Sequence, residues 1–251
     1  MSKEDLIGVF DSGVGGLSVL KRLISYGGNY VYFGDTKNLP YGNKTKEQII
    51  EYTRKIIEFF IQKGAKKAIM ACNTSSALSY ETLHSEYGDK IKIYPLIQTA
   101  APFIAKEGNV IGVMATEGTV NSQTYTKEIK KHNKGATVYE IACKEFVPIV
   151  ENRLYNDKKS IEYIKEHLQY LLDKKCEKIV LGCTHYPYLL PILTKYADRK
   201  MFIDPACCME DIVKNNGKNS LSLEFFVSSD PERFRKSAEL FMEIKDNIKL
   251  Y

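Results

Sequence analysis

The feature that most narrows the folds open to this chain is a pattern that occurs twice. Ile7-Gly8-Val9-Phe10-Asp11-Ser12 returns as Ile111-Gly112-Val113-Met114-Ala115-Thr116, an apolar run with glycine in second place. Tyr30-Val31-Tyr32-Phe33 is matched by Thr137-Val138-Tyr139-Glu140-Ile141, and Pro148 follows Cys143 by the same five residues that separate Pro40 from Asp35. Ile49, Ile50, Thr53, Ile56, Ile57 and Phe60 recur at helical spacing in a stretch that Thr45 can cap and Gly64 can end. Its counterpart is 160–175, with Ile161, Ile164, Leu168, Leu171 and Leu172 on one face. Each helix leads into a buried run that delivers a cysteine: Ala68-Ile69-Met70-Ala71-Cys72 and Lys178-Ile179-Val180-Leu181-Gly182-Cys183.

Self-similarity over about a hundred residues predicts two copies of one unit, and the alternation of strand and helix within each predicts a parallel sheet covered on both faces. The expected fold is therefore α/β: two similar units with mainly parallel sheets, related by a pseudo-twofold axis, with the active site in the crevice between them. Residues 1–97 together with 207–251 form the first domain, carrying Cys72, and 98–206 the second, carrying Cys183. Connections near Gln98 and Asp204 would act as a hinge. The first copy continues with a helix over Ser75–Tyr87 and a strand over Ile91–Leu96. The tail offers a helix at Met209–Val213 and a strand over Leu221–Val227. Ser229-Asp230-Pro231-Glu232 then reads as a cap, a proline at the first helical position and an acid three after the serine.

At 251 residues, 44% of them hydrophobic, the chain can bury an ample core. No apolar run approaches the ~20 residues of a membrane span, and the polar 1–5 stretch lacks a signal-like segment, so the expected location is cytoplasmic, without a membrane partner. The six cysteines are too few for a disulfide scaffold and are expected to be reduced thiols. The net charge of +5 comes from lysines that occur at most in pairs among acids, which reads as a solvated face and not as a nucleic-acid surface.

The loop after the first strand, Asp11-Ser12-Gly13-Val14-Gly15-Gly16, follows only part of a dinucleotide fingerprint: the third glycine is out of register, and no Gly-Lys-Ser/Thr for a phosphate loop occurs. Asp11 and Ser12 instead fall where a strand opens into the ligand crevice of an α/β sheet. A zinc site is disfavoured because Cys183, His185 and the Cys207-Cys208 pair do not match a metal-ligand spacing, and no metal is expected. A disulfide oxidoreductase is disfavoured by the absence of Cys-x-x-Cys.

If the two units face each other, Cys72 and Cys183 approach a ligand from opposite sides, each at a strand-to-helix junction where amide N–H groups and the helix dipole favour a thiolate. Two proton-transfer groups on opposite faces of one carbon suit racemisation without a redox cofactor. His185 could tune the nearby thiol, or could be a loop histidine satisfied by backbone. Asp11 could play the matching role beside Cys72, or serve as a helix cap or ribose ligand. Asn73, Thr74, Thr184, Ser12 and the Tyr41-Gly42 backbone offer donors suited to carboxylates.

Four motifs carry a resemblance: Phe10-Asp11-Ser12-Gly13-Val14-Gly15-Gly16-Leu17, Leu39-Pro40-Tyr41-Gly42, Ala71-Cys72-Asn73-Thr74 and Gly182-Cys183-Thr184-His185-Tyr186-Pro187. In this order, and across nearly the whole chain, they resemble the bacterial glutamate racemases of the aspartate/glutamate racemase family. The resemblance implies a cofactor-independent, two-base interconversion of L- and D-glutamate that supplies D-glutamate for peptidoglycan. It also implies that Cys72 and Cys183 are the acid/base pair and that Asp11, His185 and Glu151 are supporting ionisable groups. Ser12, Tyr41, Gly42, Asn73, Thr74 and Thr184 would touch substrate together with Asp11 and His185, and a homodimer is implied. Ser75-Ser76 departs from the commoner pairs after the first cysteine motif, and Cys207-Cys208 is unusual where that segment tends to be polar or small; buried structural thiols are expected there. A racemase of another amino acid such as aspartate, or a non-catalytic amino-acid-binding module, are the alternatives.

Overall fold

The computed structural model describes residues 6–214 and 220–251, so the polar stretch 1–5 lies outside the described residues. In chain order the strands are β1 (Leu6–Asp11), β2 (Gly28–Gly34), β3 (Lys67–Met70), β4 (Lys92–Pro95), β5 (Val110–Ala115), β6 (Thr137–Ala142), β7 (Lys178–Gly182), β8 (Phe202–Ile203), β9 (Leu221–Val227) and β10 (Ile248–Leu250). The helices are α1 (Leu17–Leu23), α2 (Lys46–Gln62), α3 (Asn73–Tyr87), α4 (Leu96–Ile104), α5 (Glu117–Ser122), α6 (Thr124–His132), α7 (Phe146–Glu151), α8 (Lys158–Asp173), α9 (Leu190–Leu193) and α10 (Pro231–Ala238).

Two parallel sheets result. One has the order β10-β9-β2-β1-β3-β4 and the other β6-β5-β7-β8. The echoed segments occupy equivalent places: β1 and β5 are central, β2 and β6 lie on one side, and β3 and β7, the cysteine strands, on the other. Phe10 pairs with Met70 and Met114 with Leu181, so both central strands end level with the residues that lead into a cysteine. The shared second-place glycine also has a packing reason. A Cβ at Gly8 would come within 2.7 Å of the Phe60 ring of α2, and one at Gly112 within 2.9 Å of Leu171 of α8. In both sheets the helix before the cysteine strand lies directly on the central strand, which leaves no room for a side chain there.

Helix α2 begins with a full capping box: the Gln48 amide donates to the Thr45 hydroxyl at 3.3 Å, and the Thr45 amide to the Gln48 side chain at 3.0 Å. Its buried face is Ile49, Thr53, Ile56, Ile57, Phe59 and Phe60. One apolar cluster joins the two sheets, bringing Ile7, Val9, Leu17 and Leu20 together with Phe146, Leu168, Leu181 and Tyr186. Smaller clusters fill the far faces beneath α2 and α4.

Several local expectations change. Helix α3 starts at Asn73, two residues before the expected Ser75, and the strand after it stops at Pro95, so that Leu96 opens a helix. Gln98 therefore lies inside α4, whose Leu96, Ile97, Ala100, Ala101 and Ile104 are buried, and not in an extended connection. The expected helix at Met209–Val213 is the end of a 3-10 helix over Pro205–Ile212, capped by the Asp204 side chain. The last helix is capped by Asp230, which accepts from the Arg233 amide at 3.0 Å, because Ser229 is held by Thr36. Strand β9 has the expected bounds and pairs with β2 along its length. Cys207 and Cys208 are half-buried, with sulfurs 3.8 Å apart, and not the fully buried thiols expected. Among the described residues no helix is long and apolar enough to cross a membrane.

Candidate active site

The carboxyl ends of β1, β3, β5 and β7 open onto one cavity of about 470 Å³. Cys72 and Cys183 reach it from different sheets, 5% and 8% exposed respectively. Cys72 is the N-cap of α3, and its carbonyl accepts from the Ser76 amide and the Ser75 hydroxyl, both at 3.0 Å. Cys183 follows Gly182 at the end of β7, and its carbonyl accepts from the Tyr186 amide at 3.0 Å. The strands thus end two residues before Cys72 and one before Cys183, and the turn that follows fixes the backbone around each thiol.

The thiolate expected at the start of α3 is corrected. Burial, followed by the nearby Asp11 carboxylate, pushes the Cys72 thiol up to about 12, and the hydrogen bonds from Ser75 offset only part of this. The Cys183 charge acts in the same direction, so the two sulfurs resist ionising together.

Of the two roles open to His185, its contacts are those of a residue bound by side chains and not by backbone. Its Nδ1 lies 3.8 Å from the Cys183 sulfur and its Nε2 3.0 Å from Glu151 Oε1. Burial lowers its proton affinity, but the hydrogen bonds to Cys183 and Glu151 more than offset that, and the imidazole is pushed up to about 10. A protonated imidazole beside Cys183 stabilises a thiolate there. Glu151, at the end of α7, links this pair to the cavity rim.

Asp11 is buried and accepts from the Gly13 amide at 2.9 Å. It does not cap α1, whose N-cap is Gly16. Burial raises its pKa, an effect the charge of His185 opposes. In the glycine-rich loop, close packing requires the glycine at 15: a Cβ there would sit 2.6 Å from the His185 ring and collide with the Thr184 hydroxyl.

The remaining anticipated residues, Ser12, Tyr41, Gly42, Asn73, Thr74 and Thr184, also line the cavity. The Tyr41 hydroxyl donates to Asp35 at 2.6 Å, and Tyr41 and the neighbouring Gly42 both line the cavity. Asp35 is itself buried and also accepts from Asn38 and Ser228, which ties the Tyr41 loop to the end of β9. Asn73 accepts from the Tyr125 hydroxyl at 2.7 Å, leaving its buried Nδ2 without a protein partner. The Thr74 hydroxyl lies 2.9 Å from that of Thr116, which in turn lies 3.0 Å from Thr119.

Sequence reasoning missed Thr116, Glu117, Cys143 and Lys144 in the cavity wall and Tyr125 behind it. The repeat carried a signal for two of them: Thr116 echoes Ser12, and Cys143 echoes Asp35. Cys143 is a third buried thiol, raised above the ordinary range by burial. Nothing in the repeat pointed to Tyr125, which acts through Asn73. Among the described residues no group of three or more His, Cys, Asp or Glu side chains could hold a metal ion. The arrangement offers two thiols from separate strands, an imidazole–carboxylate pair on one of them, a buried carboxylate near the other, and neutral donors between.

Comparison with known proteins places this geometry in context. The family model described as Asp/Glu/Hydantoin racemase matches residues 21–209. A glutamate racemase of Trichodesmium erythraeum is 35% identical, with 99% of this chain and 96% of that protein covered. Glutamate racemase 2 of Caldanaerobacter subterraneus is 39% identical over 94% of this chain and 92% of its own length. Among solved structures, glutamate racemase from Francisella tularensis in complex with D-glutamate superposes with a TM-score of 0.87 at 31% identity, covering 99% of this chain and 97% of that one. A glutamate racemase isoform from Bacillus anthracis gives a TM-score of 0.90 at 28% identity, over 100% and 98%.

Proposed function

The chain belongs to the Asp/Glu/Hydantoin racemase family, and from that premise we propose that it interconverts L- and D-glutamate, with Cys72 and Cys183 exchanging protons on opposite faces of the α-carbon. The single observation that carries this reading is that the two cysteines enter one cavity from the ends of equivalent strands in two sheets. One thiolate removes the α-proton, the opposite thiol returns a proton to the other face, and reversal of the roles converts the other enantiomer. Proton count and oxidation state are unchanged over the cycle.

The surrounding groups have parts that follow from their contacts. His185, held by Glu151, stabilises the charged form of Cys183. The Asp11 carboxylate lies in the field of Cys72 and supports proton transfer on that side. Asn73 Nδ2 and the hydroxyls of Ser12, Thr74 and Thr184 bind the substrate carboxylates, with Tyr41 and Gly42 closing the wall. On this reading the sheet built on β1 and the sheet built on β5 act as two lobes around the substrate. The product supplies D-glutamate for peptidoglycan in the cytoplasm.

The test is to incubate the protein with L-glutamate in deuterated water and to follow Cα exchange and optical rotation together. Exchange with loss of rotation is the expected result. Absence of both exchange and rotation change would overturn the enzyme reading in favour of a binding module, and exchange with aspartate alone would select an aspartate racemase.

A further inference from the structure

A dicarboxylate substrate meets an acid-rich wall in this cavity. Asp11, Glu117 and Glu151 all line it, and the donors that face them are mostly neutral amides and hydroxyls. Among the described residues of the wall, Lys144 carries the one ammonium group. It follows Cys143 directly after the carboxyl end of β6, and its Nζ lies 2.9 Å from Oε1 of Glu117 in the first turn of α5. Both side chains stand at the solvent side of the cavity, 60% and 44% exposed. The thiols lie deep, so a substrate whose α-carbon sits between them is held deep as well, and of the two carboxylates of glutamate the side-chain one can extend farther from that carbon.

An exposed lysine–glutamate pair is a weak, salt-screened contact. It can be exchanged for another carboxylate at little cost. We propose that Lys144 is a substrate-binding residue whose ammonium leaves Glu117 to receive the distal carboxylate of glutamate, and that Glu117 acts as a resident competitor holding the lysine at the mouth beforehand. This rests on the proposed substrate. It assigns to one flexible cation both the capture of an anion and the partial neutralisation of the acidic wall it must pass.

The proposal separates two neighbours by sign. K144M loses the captured contact, and about a tenfold rise in KM for either enantiomer is expected, the size of one charge-assisted hydrogen bond near solvent. The same variant should flatten the fall of kcat/KM with rising salt, and K144R should restore both. E117Q frees the lysine and should lower KM; the double variant should behave as K144M. KM in K144M within twofold of the wild type, an unchanged salt dependence, or an E117Q variant that raises KM as K144M does would each overturn the assignment. Calorimetric binding of L-glutamate to wild type and K144M reads the lysine independently of turnover. A protein that binds glutamate through Lys144 without exchanging its α-proton refutes the racemase reading alone, and one that racemises equally well without Lys144 refutes the lysine alone.

Discussion

The Tyr125 hydroxyl donates to the side-chain oxygen of Asn73 at 2.7 Å, from a helix packed on one sheet to the first residue of a helix on the other. This bond decides which end of the amide faces the cavity. With the oxygen occupied, the donor end is left for a carboxylate. Phenylalanine at position 125 keeps the ring but removes the orienting donor, and the amide can then turn its oxygen toward an anion. Y125F should raise KM for glutamate about threefold to tenfold, the range of one hydrogen bond of 0.5–1.5 kcal/mol, with a smaller effect on kcat. Steady-state rates followed by circular dichroism check this, and an unaltered KM would show that the amide is oriented without Tyr125.

Removing either thiol should stop racemisation. Positioned acid/base groups contribute roughly 10²–10⁴ in rate, and each direction of the reaction uses both cysteines, so C72A and C183A should each lose at least about 10²-fold. Both positions are nearly closed to solvent, and the change is only from sulfur to hydrogen. Circular dichroism spectra of the variants should therefore stay native. Full activity in either variant would sink the two-thiol assignment.

His185 makes the stability of the protein depend on pH in a defined window. Its proton is held up to about 10 in the folded state against an ordinary 6.5. The folded state then binds one proton more than the unfolded state between those values, so the contribution of His185 is fully present below 6.5 and is lost as pH rises through 10. The melting-temperature difference between wild type and H185Q should shrink steadily from pH 6.5 to 10 and stay level above it. E151Q should narrow the window by removing one of the two partners that raise the imidazole. A difference between wild type and H185Q that is constant across this range would contradict the side-chain pairing of His185.

Much of the fold was legible because the chain states it twice. The apolar runs around Val9, Ile69, Val113 and Val180 are short and bounded, and comparison of one copy with the other identified them as equivalent strands, while their order in the sheets is visible only in the structure. The connections were less legible. Helix α4 reads in sequence only as a connection near Gln98, since Leu96–Ile104 is apolar apart from Gln98 and Thr99 and has no broad polar face to reveal a helical period. The cap at Asp230 was read one residue early because serine and aspartate are both good caps, and only the contact of Ser229 with Thr36 removes the serine. In the cavity, residues on strand ends could be read from their motifs. Tyr125 and Lys144 could not, because one acts through a neighbour and the other is an ordinary surface lysine until β6 is set beside β5.

The glycine-rich loop gives the sharpest test of the idea that its composition serves packing against the site. Gly13 and Gly15 lie two residues apart, and a phosphate-binding loop would tolerate a side chain poorly at either. Here the two differ. A Cβ on Gly13 meets nothing nearer than a Leu39 methyl at 3.5 Å, an ordinary contact, whereas one on Gly15 would press on the Thr184 hydroxyl and lie 2.6 Å from the His185 ring. G15A must therefore displace the imidazole from its place 3.8 Å from Cys183 and 3.0 Å from Glu151. A misplacement of about 1 Å in such a constellation costs on the order of 10² in rate. G15A should accordingly lose about that factor in kcat/KM while G13A stays within about threefold of the wild type, as measured by the same circular dichroism assay. Equal losses in the two variants would overturn the packing explanation, since close packing against the site singles out Gly15 and not Gly13.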